Sequence, residues 1–467
     1  MIKHYLKSLI ELDYTKYPYI IIFIIVFLIS RIPFLNLGFG NDPDAWRIAN
    51  SAFDLNHYLI YHTSRFPGYP LPEYVNSLVI NYGWLATNSL TMILTLISVL
   101  VFAKILKELE VENKGLIVIT FAFLPIIWIN SVITMDYMWA VTFIIISWYF
   151  VIKKRYLMAG LMMGLAIASR PTSAVLLIPF IYIILTKNEI KEGLYFLFAS
   201  LAVGITLFSP LLFQYGIGFI SFYTTVVDLN TVLGSFISSF GLLAVLILIL
   251  LLIKSPKKAY YAIKTDNNMK FALFVVFLII VLFIGSPYDT AYLLPTIPFA
   301  LYFLSKIGSK RLFNILCIFL ILNSFISVSL TFETSEIIGK GIVFSDADDR
   351  ALLTTTLEKV INTNFNNSVI LTGEYYPILR YMSKNSQKNP QIYGEESDPK
   401  QIYVSYWDHE KNIGYVYMVS AEDVIQWKNN GYTIYYMGQA AWKITQLNYK
   451  YDLRKYNTSN IFESINF

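Results

Sequence analysis

Long apolar runs alternate with short polar stretches up to about residue 330, and this pattern predicts membrane-spanning helices. A helix needs about 20 predominantly apolar residues to cross a bilayer. The runs predict eleven spans, at 18–37, 88–106, 115–133, 137–152, 156–169, 172–186, 193–212, 237–253, 271–285, 290–305 and 312–330. The fifth and sixth are short and predict one hairpin with SRPTS at its apex. The predicted fold class is a polytopic α-helical membrane protein.

The pattern changes after residue 331, where no run is long enough to cross a membrane. The segments SVILTG, GYVYMVS and YTIYYMG predict strands, and EYYPILRYMSKN, SAEDVIQWKNNG and AAWKITQLNY predict helices. Alternating strands and helices indicate a small α/β domain with a largely parallel sheet. We therefore predict two domains: a membrane module over 1–331, with a long opening loop at 38–87, and an α/β domain over 332–467.

Composition and charge agree with a membrane protein and predict its orientation. The chain is 56% hydrophobic and 14% charged, against about 45–50% and about 25% in soluble domains. Lysines are concentrated in every second connection between the predicted spans, whereas the remaining connections hold only three basic residues, Arg47, Arg65 and Arg170. The positive-inside rule then predicts a cell-membrane protein with a cytoplasmic N-terminus and an extracytoplasmic opening loop and α/β domain. Nucleic acid is not an expected partner, and the single cysteine, Cys317, excludes an intramolecular disulfide.

The opening loop contains the charged residues that predict a functional site. NDPDAWR places Asp42 and Asp44 two residues apart and Arg47 three residues further on. RFPGYP then brings Arg65 and Tyr69 into a stretch stiffened by two prolines, with a glycine that permits a tight turn. Arginines on the face where the positive-inside bias discourages them suggest a function. Together these residues predict a site for a lipid-linked anionic substrate.

Other connections on the same predicted side add polar residues to this site. Asp136 lies in ITMDYMW, and Arg170 lies at the apex of the predicted hairpin, at about the depth of a lipid headgroup. GSPYDTAY contributes Tyr288, Asp289 and Tyr292. We expect Arg170 to bind phosphate or to anchor the hairpin at the interface, and the others to bind substrate.

The ordered set of motifs resembles the GT-C superfamily of membrane glycosyltransferases, in particular protein O-mannosyltransferases and the aminoarabinose–lipid A transferase. The resemblance is carried by one span followed by a long loop with NDPDAWR, by SRFPGYPLPEY, by the hairpin GLAIASRPTS, by YDTAYLLPTIPFALYFL and by the α/β tail. Together these motifs cover most of the chain. The paired Asp-Glu that is usual in the family is absent here.

The resemblance implies an inverting transfer of a sugar from a polyprenyl-phosphate donor to an acceptor hydroxyl on a lipid, glycan or protein. It makes Asp44 the first choice of catalytic base and Asp42 the second. Arg65, Arg170 and Arg47 are the expected ligands of the donor phosphate. No cofactor is expected, although Asp42, Asp44 and Asp136 are the residues that would hold a divalent Mg or Mn ion through oxygen ligands.

Two other functions share part of this pattern. A transporter or flippase of lipid-linked saccharides would also be polytopic, but charges along its pathway are expected within the membrane, and here the acids cluster at one face with Arg31 as the exception. A polysaccharide polymerase or ligase would share the arginines and the lipid-linked donor but not the sizeable α/β tail.

Overall fold

The computed structural model describes residues 13–219, 229–287, 289–328, 338–363, 365–383, 392–393, 405–408, 410–416, 421–437 and 459–460. Its chain forms two compact units. The helical unit comprises Met1–Asn36, Pro67–Pro72 and Tyr82–Asp348, and the mixed unit comprises Leu37–Phe66, Glu73–Asn81 and Asp349–Phe467. The predicted division into domains 1–331 and 332–467 stays a prediction.

Helices account for most of the described residues. In chain order they are α1 (Tyr19–Arg31), α2 (Pro43–Tyr58), α3 (Pro70–Ser77), α4 (Gly83–Glu108), α5 (Lys114–Phe123), α6 (Pro125–Asn130), α7 (Tyr137–Ile152), α8 (Tyr156–Ser169), α9 (Leu177–Leu185), α10 (Ile190–Tyr215), α11 (Leu229–Phe240), α12 (Leu242–Lys254), α13 (Pro256–Thr265), α14 (Asn267–Gly285), α15 (Thr296–Ile307), α16 (Lys310–Leu322), α17 (Ile342–Asn362), α18 (Tyr376–Met382) and α19 (Ala421–Asn429).

Several of these helices are long and apolar enough to cross a membrane. Within the described ranges these are Ile80–Glu108, Ile190–Gly218 and Asn267–Gly285, with a fourth span if α11 and α12, bent by 104° at their junction, count as one. The bend falls at Gly241, whose φ of 80° suits glycine. Shorter apolar helices occupy most of the other predicted spans. The protein is therefore a polytopic helical membrane protein, as predicted, while the number of eleven spans stays a prediction.

A break between α5 and α6 explains the buried Arg31. Pro125 has no N–H group, so the helix stops and leaves carbonyl groups near its end without their usual donors. Arg31 Nη2 donates to the carbonyl oxygen of Ala122, and Ser324 Oγ donates to that of Phe123 at 2.6 Å. The guanidinium also lies 4.2–4.6 Å from the ring centres of Phe27, Phe123 and Trp128. These contacts give Arg31 a structural role.

Small residues let α8 pack closely against α10. Gly160 and Gly164 are four residues apart and face α10, where a Cβ atom at Gly160 would lie 2.4 Å from the carbonyl oxygen of Phe196. At Gly164 the corresponding distance to the Val203 Cβ is 2.6 Å. Glycines at this spacing allow close helix contact in membrane proteins. The contact holds the start of the predicted hairpin against the helix that follows it.

The mixed unit contains a six-stranded sheet with the order β4-β5-β6-β3-β7-β8. Its strands are β3 (Ser368–Leu371), β4 (Ile392–Tyr393), β5 (Ser405–Asp408), β6 (Ile413–Val416), β7 (Thr433–Tyr436) and β8 (Ser459–Asn460). In the helical unit, β1 (Ile326–Val328) and β2 (Ile338–Lys340) form a separate antiparallel pair. β3 pairs in parallel with β6 and β7, and β5 pairs antiparallel with β4 and β6. A core of Val369, Leu371, Val416, Val424 and Ile434 packs α19 on the sheet. The helix predicted in AAWKITQLNY lies outside the described residues.

Candidate functional site

The acidic motif of the opening loop begins a helix. Asp42 precedes α2 with extended backbone angles, and its Oδ1 accepts a hydrogen bond from the Asp44 N–H at 2.9 Å. Pro43 occupies the first helical position, where its missing N–H costs nothing. This cap places Asp44 and Arg47 on one face of the helix, since residues three apart are neighbours there. Their side chains form an ion pair of 2.6 Å.

Asp44 is held between two arginines. Its Oδ1 is 2.6 Å from Arg47 Nη1, and its Oδ2 is 2.7 Å from Arg65 Nε. The three side chains are 16–24% exposed, so they are neither sealed in the core nor fully hydrated. Ion pairs at this depth are stronger than surface pairs, because less water screens them. An anionic ligand that enters would meet both guanidinium groups.

Glu374 extends this group of charges, although it was not among the predicted site residues. Its Oε2 lies 3.5 Å from Arg47 Nη2, although the two residues are 327 positions apart. Glu374 follows the carboxyl end of β3, which is where open α/β sheets place their ligand sites. Applied to the predicted strand SVILTG, that rule would have indicated Glu374 as a candidate site residue. We call Asp42, Asp44, Arg47, Arg65 and Glu374 the carboxylate–arginine cluster.

A buried carboxyl group, Glu73, fixes the segment that carries Arg65. Glu73 has no exposed surface; its Oε1 accepts a hydrogen bond from the Ser64 N–H at 2.7 Å, and its Oε2 accepts one from the Tyr61 hydroxyl at 2.5 Å. Burial raises the pKa of Glu73, and the hydrogen bonds from Ser64 and Tyr61 oppose that rise. Glu73 was not a predicted site residue, because a glutamate in PLPEY resembles any exposed loop acid. It sets the backbone directly before Arg65.

The two acids of the motif have different surroundings. Burial, followed by the negative charge of Asp44, raises the pKa of Asp42 to about 6, and Arg65 and Arg47 oppose the rise. Asp44 instead has a guanidinium group on each oxygen. Neighbouring carboxylates that differ in this way are typical of sites that move protons.

Contacts with the C-terminal residues of the mixed unit hold α2 in place. Asn50 Nδ2 donates to the carbonyl oxygen of Pro377 at 2.8 Å, and Arg380 pairs with Asp54 at 2.7 Å. The buried indole of Trp46 packs edge-on against Phe39 and lies 6.0 Å from the ring centre of Tyr381. The helix that carries Asp44 and Arg47 is thus held by α18.

A second group of predicted site residues lies in the helical unit. Arg170 and Asp136 form an ion pair of 2.5 Å, with side-chain exposures of 4% and 0%. Arg170 Nη2 donates to the Tyr137 hydroxyl at 3.0 Å. The guanidinium also lies over three tyrosine rings, 3.7 Å from Tyr137, 4.3 Å from Tyr292 and 5.8 Å from Tyr69. The pair is buried and mutually neutralising, which is the geometry of a structural ion pair, and a phosphate-binding role for Arg170 stays a prediction.

The remaining predicted residues are placed as follows. Asp289 Oδ1 accepts a hydrogen bond from the Ala291 N–H at 2.9 Å and so caps the short 3-10 helix Thr290–Leu293. Tyr288 lies outside the described residues. In the part of the chain that the structure describes, no three His, Cys, Asp or Glu side chains are grouped to hold a metal ion. Both oxygens of Asp44 already meet arginines, so the cluster as arranged does not fit a cation, and the possible Mg or Mn ion stays untested.

Comparisons with known proteins give one structural similarity. No protein-family model and no curated protein sequence matches the chain. A solved structure, ArnT from Cupriavidus metallidurans bound to undecaprenyl phosphate, is similar with a TM-score of 0.46 and 15% sequence identity. The match covers 64% of this chain and 62% of that one, so the chain spans less than two thirds of the length of the protein that it matches.

Proposed function

We propose that this protein is an integral membrane glycosyltransferase of the GT-C type. It moves a sugar from a polyprenyl-phosphate donor to an acceptor hydroxyl on a lipid, glycan or protein at the extracytoplasmic face. The observation that carries the proposal is the position of Asp44 between Arg47 and Arg65, on a helix of the opening loop. It joins a proton acceptor to two phosphate-binding groups, and sugar transfer from a phosphate ester needs both.

The reaction requires one proton transfer and one charged leaving group. The acceptor oxygen attacks the anomeric carbon, its proton passes to the Asp44 carboxylate, and the bond from that carbon to the phosphate oxygen breaks. The bonding electrons leave with the polyprenyl phosphate, whose growing negative charge is met by Arg65 and Arg47. Arginine suits this role because its planar guanidinium binds phosphate through two parallel hydrogen bonds. A single displacement inverts the configuration at the anomeric carbon.

The ion pairs suggest how donor binding activates the base. Without donor, both arginines neutralise Asp44, which makes it a poor proton acceptor. A donor phosphate competes for the same guanidinium groups, and an arginine that turns toward phosphate leaves Asp44. The carboxylate then has less positive charge beside it and a new negative neighbour, and both changes favour proton uptake. Glu374 keeps a second contact on Arg47 during this exchange.

Removing Arg65 tests the donor site. Arg65→Ala is expected to weaken binding of polyprenyl phosphate by about 10- to 100-fold, because a charge-assisted hydrogen bond is worth roughly 1.5–3 kcal/mol. Arg65→Lys should restore part of the loss, since lysine keeps the charge but lacks the planar fork. Binding is measured by native mass spectrometry of the protein in nanodiscs titrated with polyprenyl phosphate.

The matched control is Arg380→Ala, which removes an ion pair of the same length, 2.7 Å, from the same unit. It should leave lipid binding close to that of the parent, because the contacts of Asn50 and Trp46 with α18 still hold α2. Equal binding by the parent and Arg65→Ala would remove the cluster from the donor site. Lipid binding without any sugar transfer, together with movement of the lipid across a membrane by the parent, would favour the flippase alternative.

The free energy of unfolding is expected to depend on pH because of Asp42. Its pKa is raised from 3.8 to about 6 in the folded chain, so between these pH values the folded state binds a proton that the unfolded state has lost. Stability from this group is therefore full below pH 3.8 and lost as pH rises through 6. Between pH 4.5 and 7.5 the free energy of unfolding of the parent should fall by about 2 kcal/mol. Asp42→Asn should remove this loss, and the same loss in both proteins would contradict the assignment.

A further inference from the structure

Two leucines of the opening loop are exposed where a soluble surface would carry polar side chains. Within the described part of the chain, the side chains of Leu59 and Leu78 are 86% and 75% exposed, and the neighbouring Ile60 is 45% exposed. A single exposed leucine needs no explanation. Here Asn56 Nδ2 donates to the carbonyl oxygen of Ser77 at 2.8 Å, which ties the end of α2 to the end of α3. The two exposed stretches therefore belong to one apolar tip, defined as Leu59, Ile60 and Leu78.

The backbone at Leu59 makes its exposure more unusual. Leu59 terminates α2 in the left-handed region, with φ 57° and ψ 26°. Glycine or asparagine is usual at such a position, because a bulky side chain strains the left-handed conformation. Strain of this kind persists where something else compensates for it. Most of the Leu59 side chain contacts nothing within the described residues, so burial of this side chain against another surface would help to offset the strain.

The course of the chain indicates what covers the tip. Leu78 precedes by two residues the apolar helical stretch Ile80–Glu108, which is long enough to cross a membrane. If this stretch crosses the bilayer, Leu78 lies within two residues of the end of a span. Stretches 55–64 and 74–103 contain no Asp, Glu, Lys or Arg. Tyr58 and Tyr61 flank Leu59 and Ile60, and tyrosine is enriched at membrane interfaces.

We propose that Leu59, Ile60 and Leu78 insert into the lipid at the membrane surface and anchor the opening loop there. The lipid surface buries the apolar side chains and so offsets the strain at Leu59. The anchor holds the end of α2, the helix that begins with the acidic motif, at the level where lipid headgroups lie. The inference concerns only the contact of this tip with lipid and stands whether or not the protein transfers a sugar.

The test places an environment-sensitive fluorophore on a cysteine at each position. Leu59→Cys and Leu78→Cys are labelled, and the parent shows how little the buried Cys317 reacts. Labelled protein in nanodiscs is quenched either by a nitroxide near the headgroup end of the acyl chain or by iodide in the water. Both probes are expected to show blue-shifted emission, quenching by the nitroxide lipid and protection from iodide. Asn429→Cys, at an exposed position in α19, is the control and should show the reverse.

A second variant shows whether the tip acts as one unit. Leu59→Gly fits the left-handed backbone without strain, so it keeps the fold while it removes the apolar side chain. The probe at position 78 should then lose part of its quenching by nitroxide lipid and become more accessible to iodide. Probes at 59 and 78 that respond like the control would overturn the proposal. Probes shielded from both quenchers would also overturn it, because a protein surface and not lipid would then cover the tip.

Discussion

Asp44→Asn is expected to lower single-turnover sugar transfer by about 100-fold or more, because general-base catalysis is typically worth about 10²–10⁴-fold. Asparagine keeps the shape of the side chain but cannot take the acceptor's proton. The measurement is transfer from a polyprenyl-phosphate sugar by the variant in nanodiscs, with donor at saturating concentration. Loss of the rate at saturation separates a failure of chemistry from a failure of binding.

The affinity for the donor lipid should rise or stay the same in this variant, although turnover falls. Asp44 competes with the donor phosphate for Arg47 and Arg65, so a neutral amide at this position leaves both arginines available. Asp44→Asn should therefore bind polyprenyl phosphate at least as tightly as the parent. This combination, tight binding with lost turnover, is not expected from general damage to the fold.

Asp54→Asn is the matched control for this prediction. Asp54 lies on the same helix and pairs with Arg380 at 2.7 Å, but it is not part of the carboxylate–arginine cluster. Asp54→Asn should transfer sugar at close to the parental rate, because the contacts of Asn50 and Trp46 with α18 still hold α2. If Asp44→Asn remains active while Asp42→Asn is inactive, the base is Asp42. If both variants keep parental rates, the opening loop does not perform the chemistry.

Arg170→Ala is expected to destabilise the helical unit by about 3–5 kcal/mol, because it leaves the Asp136 carboxylate buried without its cation. Asp136 has no exposed surface and lies 2.5 Å from the guanidinium. The loss should appear as a lower midpoint of thermal unfolding in detergent. Asp289→Asn, which alters an acid outside this ion pair, is the control and should change the midpoint much less.

A double variant separates a structural role of Arg170 from phosphate binding. Asp136→Leu combined with Arg170→Met removes both charges and should recover most of the lost stability, since apolar replacements of buried ion pairs are often neutral or stabilising. If the recovered protein binds polyprenyl phosphate like the parent, Arg170 is a structural residue. If it is stable but no longer binds the lipid, Arg170 contacts the donor phosphate, and the prediction from the hairpin motif is correct.

Local features of the sequence determined the positions of the helices. The predicted limits 137–152 and 156–169 coincide with α7 and α8. The basic group Lys153, Lys154 and Arg155 separates the two runs, and an apolar chain in lipid must satisfy its backbone hydrogen bonds within its own helix. The acidic motif also contains a local helix signal, because an Asp-Pro-Asp step can cap a helix and place an arginine one turn later, although this segment was predicted as part of the opening loop.

The groups that satisfy the backbone at a break in an apolar helix depended on packing. The run predicted at 115–133 is divided between α5 and α6 at Pro125, and its end carbonyl groups accept hydrogen bonds from Arg31 and Ser324. The proline is visible in the sequence, but the partners of the carbonyl groups are not. Arg31 therefore looked like an isolated intramembrane charge, whereas the structure gives it oxygen and aromatic neighbours.

Only the tertiary structure decided how the charged residues pair. Arg65, predicted as a phosphate ligand, meets the predicted base Asp44; Arg47 also reaches Glu374, 327 positions away; and Arg170 meets Asp136. Periodicity and local propensity report which face of an element is apolar, because burial of that face follows from nearby residues. An ion pair depends instead on which distant segments the fold brings within about 4 Å, where the interaction of two charges is strong. The sequence by itself thus determined a helical membrane chain with an acidic, arginine-bearing loop, and the fold determined which of its charges act together.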